Sequence, residues 1–162
     1  MRQKTRSAPL VSIVTVAFNA GRTIEQTILS VLDQTYINIE YIIIDGGSTD
    51  ETVSIIKKYG NKITKWITEP DNGISDAFNK GIKLTSGKLI GLLNADDWYE
   101  KDTVQKIVDN YTDDNTVICG NVKLYNNPFK YKIKKSTIKN IRSIMGIWHT
   151  GVFVPKNIYN EI

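Results

Sequence analysis

The sequence LVSIVTVA at residues 10–17 and the sequence IEYIII at residues 39–44 decide the fold class. Both runs are short, rich in β-branched residues and almost continuously apolar, which is typical of strands covered on both faces of a parallel sheet. The segment between them carries apolar residues at helical spacing, namely Ile24, Ile28, Val31 and Leu32. The two runs and the segment between them therefore predict a β–α–β unit.

The alternation of strands and helices continues along the chain. Thr23 with Gln26, and Ser48 with Glu51, stand at capping-box spacing, which predicts that helices begin there. Further strands are predicted at residues 63–68, 88–93 and 116–122. This order predicts an α/β fold with a mostly parallel sheet and helices on both faces. In open sheets of this kind, ligands bind at the carboxyl ends of the strands.

The composition bounds the size and the location of the protein. The 162 residues carry a net charge of +4, which fits one globular domain and permits a phosphate-bearing ligand or an anionic membrane as a partner. Cys119 is the only cysteine, so an internal disulfide is excluded, and its apolar neighbours predict a buried side chain. Residues 1–8 are polar and basic, which predicts a flexible N-terminus without a signal peptide. The expected location is the cytoplasm.

Small, polar or acidic residues follow four of the predicted strands. They are Phe18-Asn19, Asp45–Asp50, Glu69–Gly73 and Asn94–Asp97. Because the carboxyl ends of parallel strands meet at one edge of a sheet, these residues predict a ligand crevice with several carboxylates. Asp96 and Asp97 give the sharpest signal, since adjacent carboxylates repel each other and attract a hard cation such as Mg²⁺ or Mn²⁺. Taken alone, the pair fits helix capping equally well.

The sequence pattern changes at residue 126, where Asn126-Asn127-Pro128 predicts a turn. The segment that follows is basic, with Lys130, Lys132, Lys134, Lys135, Lys139 and Arg142. The first three lysines alternate with aromatic or apolar residues, which predicts a half-exposed strand. Two interpretations stay open for this segment. It is an edge strand whose lysines prevent aggregation, or it is a contact face for phosphate or anionic lipid.

Five motifs in a fixed order resemble the family-two glycosyltransferases of the A type. They are VSIVTVAFN (11–19), QTY (34–36), IDGGSTDET (44–52), DNGISDAFNKG (71–81) and SG (86–87) with LNADD (93–97). The resemblance covers about residues 9–111, which is some two-thirds of the chain. Five motifs in order are far more specific than any one of them.

The resemblance implies a GT-A fold, with a Rossmann-like sheet that binds a nucleoside-diphosphate sugar and a divalent metal, Mn²⁺ or Mg²⁺. By this match Val16 borders the nucleoside through its backbone and Phe18 borders it through its ring, although an aromatic residue such as Phe18 also fits the core. Asp45 shapes the nucleoside pocket. Asp96 faces the ribose or the donor sugar, and Asp97 holds the metal on the diphosphate.

The implied reaction is the inverting transfer of a hexose to a hydroxyl of a glycan or lipid-linked glycan in bacterial surface-polysaccharide assembly. Residues 9–125 would form the nucleotide-sugar-binding subdomain, and residues 126–162 would begin the acceptor side. Peripheral contact with the inner face of the cell membrane is expected, and nucleic acid is not an expected partner. His149 matches a histidine that contacts the acceptor or the diphosphate, and the alternative is a structural histidine.

The sequence departs from the family pattern at two places. Gly46 stands where many relatives carry an aspartate that hydrogen-bonds the base. The catalytic general base, an Asp or Glu, is expected beyond Ile162, because Glu161 has the wrong sequence context. A fragment that binds nucleotide sugar without turnover is therefore a second interpretation. A nucleotidyltransferase is a third, and the lack of a Gly-rich basic loop after residues 10–17 disfavours it.

Overall fold

The structure is a computed structural model that describes residues 8–127, 130–136 and 149–159. The strands are β1 (Val11–Ala17), β2 (Ile39–Asp45), β3 (Lys65–Thr68), β4 (Leu89–Asn94), β5 (Ile118–Cys119), β6 (Val122–Asn127), β7 (Lys130–Lys134) and β8 (Val152–Pro155). The helices are α1 (Ile24–Leu32), α2 (Thr52–Lys58), α3 (Ile74–Leu84), α4 (Thr103–Asp109) and α5 (Lys156–Tyr159), with a 3-10 helix at His149–Gly151.

The main sheet has the strand order β3-β2-β1-β4-β8-β5 within the described residues. The first four strands of the chain are parallel, whereas β8 runs antiparallel to both β4 and β5. The prediction of a mostly parallel α/β sheet is confirmed. Because β1 lies between β2 and β4, Ala17 pairs with Asp45 and Val16 pairs with Asn94. The loops that follow these three strands therefore begin side by side.

Helices cover both faces of the sheet, as predicted. Alternate residues of β1 enter two apolar clusters, with Val11 and Ile13 on one face and Val14 and Val16 on the other. The first cluster packs against α1, α2 and α4, and the second packs against α3. Burial on both faces explains why the strand sequences are almost continuously apolar.

The second face of the sheet requires a very close approach by α3. A Cβ atom on Gly81 would overlap Val14 Cγ1 and would lie 3.3 Å from Ile44 Cγ1. Helix α3 can therefore sit against β1 and β2 only because residue 81 has no side chain. This contact sets the position of the helix whose N-terminal loop borders the carboxyl edge of the sheet.

Several local predictions were wrong. The strand predicted at 116–122 is split into β5 and the start of β6, and β3 begins at Lys65 rather than at residue 63. Cys119 is exposed rather than buried, because β5 is the edge strand of the main sheet and, among the described residues, has β8 as its single neighbour. The side chain of Thr23 makes no capping hydrogen bond at α1, and α2 is preceded by Glu51 without a side-chain cap.

The basic segment forms a strand at Lys130–Lys134, as predicted, but the strand is exposed on both faces rather than half-exposed. Strand β7 pairs antiparallel with β6, and its five residues are all exposed. The predicted subdomain boundary at residue 125 lies within β6. Strand β8, which belongs to the predicted acceptor-side region, is part of the main sheet. Residues 1–7, Lys139, Arg142 and Glu161 lie outside the described residues. Within the described ranges, no helix combines the length and the apolar character that a membrane crossing requires.

We predict that Gly81→Ala destabilises the fold by about 1–3 kcal/mol, as overpacking a filled core does. At an exposed helical site the same change would stabilise by about 0.5–1 kcal/mol, so the sign of the effect is diagnostic. The measurement is urea unfolding followed by circular dichroism, with the exposed Asn79→Ala on the same helix as control. A Gly81→Ala variant as stable as the wild type would show that α3 does not make this contact.

Candidate functional site

A cleft of about 690 Å³ opens at the carboxyl edge of the main sheet. It is lined by Val16, Ala17, Phe18, Asn19, Ala20, Thr23, Gly46, Asp71, Gly73, Ile74, Ala77, Asn94, Ala95 and Asp96. The volume lies in the usual range for small-molecule sites. The loops after β1, β2, β3 and β4 all contribute, so the strand ends singled out in the sequence do converge on one site.

The loop after β1 presents Phe18 to the cleft. The ring is 64% exposed, which rules out a core position and leaves a flat apolar surface at the site. The adjacent Asn19 has a φ of 48°, and its N–H donates to Ser48 Oγ at 2.8 Å. Its side-chain oxygen accepts the N–H of Thr49 at 2.9 Å. Val16 lines the same cleft, and its carbonyl accepts the N–H of Ala95.

Two further hydrogen bonds tie the β1 loop to the loop after β2. The N–H of Gly21 donates to Asp50 Oδ2 at 2.9 Å, and the N–H of Ala20 donates to Thr52 Oγ1 at 2.8 Å. Hydrogen bonds from the Thr52 hydroxyl and from the Gly21 N–H lower the pKa of Asp50, so these contacts favour its charged form. The loop that carries Phe18 is thus fixed by hydrogen bonds between residues 19–21 and the loop after β2.

Asp45 is fully buried and does not line the cleft. Its carboxylate accepts hydrogen bonds from the backbone N–H groups of Gly47 and Ser48, at 3.2 and 3.0 Å. The hydroxyls of Ser48 and Thr68 donate to it as well, each at 2.5 Å. The structure therefore places Asp45 behind the pocket wall, where it fixes the loop that contains Gly46.

The loop after β3 contributes Asp71, which the sequence placed in the predicted crevice without an individual role. Asp71 lines the cleft, and its Oδ1 accepts the N–H of Gly73 at 2.8 Å. Lys80 braces this loop through Glu69 at 2.9 Å and Asp76 at 3.5 Å, and the contact with Glu69 is the main cause of its raised pKa. Lys80 is therefore occupied by the loop. The sequence signal for Asp71 was its place in the acidic stretch after the third strand.

The loop after β4 holds the two adjacent carboxylates. Asp96 is exposed and lines the cleft, whereas Asp97 is half-buried and accepts a hydrogen bond from the Thr150 hydroxyl at 2.7 Å. The buried hydroxyl of Thr27 lies 2.9 Å from the Ala95 carbonyl oxygen and 2.8 Å from the Asp97 carbonyl oxygen. Sequence reasoning missed both threonines, although Thr27 falls within the apolar helical stripe of α1.

His149 lies next to this loop. Its Nε2 is 3.0 Å from Asn94 Nδ2, and Asn94 lines the cleft at the end of β4. The side-chain oxygen of Asn94 is buried and has no hydrogen-bond partner among the described residues. A buried acceptor without a donor is costly.

The donor set after β4 fits a divalent cation held jointly by protein and substrate. Within the described part of the chain, no group of three or more His, Cys, Asp or Glu side chains forms a complete metal cage. Mg²⁺ and similar ions typically take one or two carboxylates and complete their shell with water and substrate phosphates. Asp96 supplies a carboxylate of that kind to the lining of the cleft, and the carboxylate of Asp97 follows it in the chain without lining the cleft.

The chain is similar to one curated protein in sequence and to two solved proteins in structure. Chondroitin synthase from Pasteurella multocida is 36% identical over 113 residues, covering 68% of this chain and 12% of that protein. S. aureus TarS 1-349 in complex with UDP-GlcNAc superposes with a TM-score of 0.77 at 20% identity, over 93% of this chain and 46% of TarS. Mannosyltransferase PcManGT from Pyrobaculum calidifontis, in complex with GDP-Man and Mn²⁺, superposes with a TM-score of 0.69 at 18% identity. This match covers 96% of this chain and 47% of PcManGT.

These two structural matches show the GT-A fold, and the chain spans less than half the length of each of the three proteins. The family model described as glycosyl transferase family 2 matches residues 12–157. The match includes the cleft and all four loops that line it. This chain belongs to glycosyl transferase family 2.

Proposed function

We propose that this chain binds a nucleoside-diphosphate sugar in the cleft and transfers its hexose, with inversion, to a hydroxyl of a glycan or lipid-linked glycan. The observation that carries the proposal is the layout of the cleft. The exposed ring of Phe18 after β1 and the carboxylate of Asp96 after β4 line one continuous cleft, and Asp97 directly follows Asp96 in the chain. A nucleoside needs a flat apolar surface, and a diphosphate needs a cation held by carboxylates.

The proposed roles follow from these positions. Phe18 and the backbone at Val16 border the nucleoside, while Asp45 acts as a positioning residue through the loop that it anchors. Asp96 faces the ribose or the sugar, and Asp97 holds Mn²⁺ or Mg²⁺ with its second oxygen fixed by Thr150. When bound, the metal neutralises charge on the leaving diphosphate. His149 is placed by Asn94 to meet the diphosphate or the acceptor.

The surface beyond the β4 loop supports a glycan acceptor. Trp98 directly follows Asp97, and its ring centroid is 5.2 Å from that of Tyr125, which is 5.3 Å from that of Tyr131. All three rings are partly exposed. Rows of aromatic rings suit the apolar faces of sugar rings. Thr150, the partner of Asp97, also lines a smaller cavity of about 150 Å³ beneath Trp98 and Tyr125.

We also propose that the protein works in the cytoplasm and touches the inner face of the cell membrane through β7. Lys130, Lys132 and Lys134 are exposed on this strand, and Lys135 follows them. A lipid-linked acceptor would require such proximity, and clustered lysines are attracted to anionic headgroups.

Asp97→Asn is expected to weaken metal-dependent binding of UDP or GDP by about tenfold or more. Loss of an outer partner of a metal ligand typically costs about 10–100-fold in affinity, and loss of a ligand should cost at least as much. The measurement is calorimetric titration with and without Mn²⁺. The control is Asp102→Asn, which removes an exposed carboxylate paired with Lys106 outside the cleft. Wild-type affinity for Asp97→Asn in the presence of Mn²⁺ would contradict the metal assignment.

Lys132→Gln combined with Lys134→Gln is expected to reduce binding to vesicles that contain anionic phosphatidylglycerol. Each lysine near such a surface contributes about 1 kcal/mol, or about fivefold in affinity. Co-sedimentation at low and high salt measures the effect. The matched control is Lys62→Gln with Lys65→Gln, two exposed lysines near the β3 edge. Binding that is insensitive to salt and lipid charge would leave β7 as a solvated edge strand.

A further inference from the structure

A second cavity of about 150 Å³, here called the side cavity, lies beside the loop that carries Asp97. Its wall includes Trp98, which follows Asp97 in the chain, and Thr150, whose hydroxyl donates to Asp97 Oδ2 at 2.7 Å. Neither Trp98 nor Thr150 lines the cleft. Sites that enclose a whole small ligand usually measure about 300–1,000 Å³. The side cavity therefore suits one ring of a ligand that continues outside it.

Three aromatic rings lead from the side cavity to the surface. Trp98 and Tyr125 line the cavity, and their ring centroids are 5.2 Å apart. Tyr131 continues the row outside the cavity, with its centroid 5.3 Å from that of Tyr125. The three residues are 37–48% exposed, so their rings present open faces to solvent. A row of open aromatic faces suits the C–H faces of successive sugar rings.

The wall of the side cavity also includes one ion pair. Lys123 Nζ contacts Glu100 Oε1 at 2.8 Å and lies 5.0 Å from the centroid of the Tyr131 ring. The pair supplies donors and acceptors for hydroxyl groups while its charges cancel. Asp97, held by Thr150, adds a second carboxylate next to the cavity. Because two carboxylates face one lysine, an anionic sugar is repelled here, whereas a neutral sugar is not.

Thr150 connects the side cavity to the metal loop. Its hydroxyl has one hydrogen, which it donates to Asp97, so it can only accept a hydrogen bond from a ligand in the cavity. A sugar hydroxyl that donates to Thr150 would extend this contact into a chain, and hydrogen bonds in a chain strengthen one another. A sugar ring against Trp98 would restrain the residue next to Asp97 as well. A ligand in the side cavity therefore acts on the orientation of the Asp97 carboxylate.

We propose that the side cavity binds a neutral sugar unit of the acceptor glycan and that its occupancy strengthens metal–nucleotide binding through Thr150. This inference rests on the proposed transfer to a glycan. The bound unit is not the one that reacts, and the row from Trp98 to Tyr131 holds its neighbours along the glycan. The preferred acceptor is thus a chain of several sugars rather than a single sugar. Because coupling between two sites is reciprocal, the metal and the nucleotide raise the affinity for the glycan by the same factor.

The first test titrates isotope-labelled protein with sugars and follows its backbone amide and indole NMR signals. The probes are glucose, cellotriose, chitotriose and maltotriose, with trigalacturonic acid as the anionic sugar. We expect at least one neutral trisaccharide to shift the signals of residue 98, residues 120–125 and residues 150–151. It should bind about tenfold more tightly than glucose, as two further ring contacts provide. Trigalacturonic acid should not shift these signals.

Tyr125→Ala should weaken binding of the same trisaccharide by about tenfold or more, because it removes the central ring of the row. The control is Lys132→Gln with Lys134→Gln. These lysines alternate with Tyr131 and so point to the other face of β7, and the double variant should bind the trisaccharide as the wild type does. Circular dichroism melting checks that each variant is folded.

The second test measures the coupling. Calorimetric titration of UDP or GDP with Mn²⁺ is repeated in the presence of a saturating concentration of the trisaccharide that binds most tightly. We expect the nucleotide affinity of the wild type to rise by about fivefold or more. Thr150→Val keeps the shape of the side chain but lacks the hydroxyl, so the rise should disappear. Thr103→Val removes a hydroxyl from the wall of the same cavity, on α4, and should keep the rise.

The outcomes separate this inference from the proposed function. Neutral trisaccharides that produce no shifts at millimolar concentration, or shifts only on other surfaces, would overturn the saccharide site. Equal nucleotide affinity with and without the trisaccharide, or an undiminished rise in Thr150→Val, would overturn the coupling. Either result leaves Mn²⁺-dependent nucleotide binding, and with it the proposed function, intact. Failure of the wild type to bind UDP or GDP with Mn²⁺ would contradict the proposed function and the coupling together.

Discussion

The carboxylate of Asp45 lies at the end of β2 without access to solvent, where an ionised group is stable only if hydrogen bonds replace its water. Two backbone N–H groups and the hydroxyls of Ser48 and Thr68 supply them. These contacts join the β2 loop to β3 and fix the place of Gly46. Ser48 in turn holds the β1 loop through Asn19, so the wall of the cleft is built outward from one buried charge.

The opposite end of the cleft is held by two threonines. Thr27, from α1, contacts the Ala95 and Asp97 carbonyls, and Thr150, from the 3-10 helix, contacts the Asp97 carboxylate. Both ends of the cleft are attached to the same parallel sheet, so the spacing of its strands sets their separation.

Sequence patterns were sufficient for the sheet, its covered faces and the strand ends, because these depend on local periodicity. They could not show that Thr150 reaches Asp97 or that Asp71 fills the space above Gly46, since such pairs meet only when distant segments pack. The burial predicted for Cys119 was wrong for a related reason. Its apolar neighbours predicted burial, but the edge position of β5 is a property of the strand order. The motif resemblance proposed Asp97 as a metal ligand, and the structure added the contacts that Asp97 makes with Thr27 and Thr150.

Paramagnetic Mn²⁺ provides the most direct test that a nucleoside diphosphate and a metal share this cleft, because it broadens the NMR signals of nearby amides. With UDP or GDP present, we predict the strongest broadening at residues 94–98 and 149–151, around Asp97. Signals from Gly46 and Gly73 should shift on nucleotide binding and broaden less, since they lie at the other end of the cleft. Broadening centred on another acidic surface, such as Asp113 and Asp114, or nucleotide-induced shifts away from the cleft, would contradict the assignment.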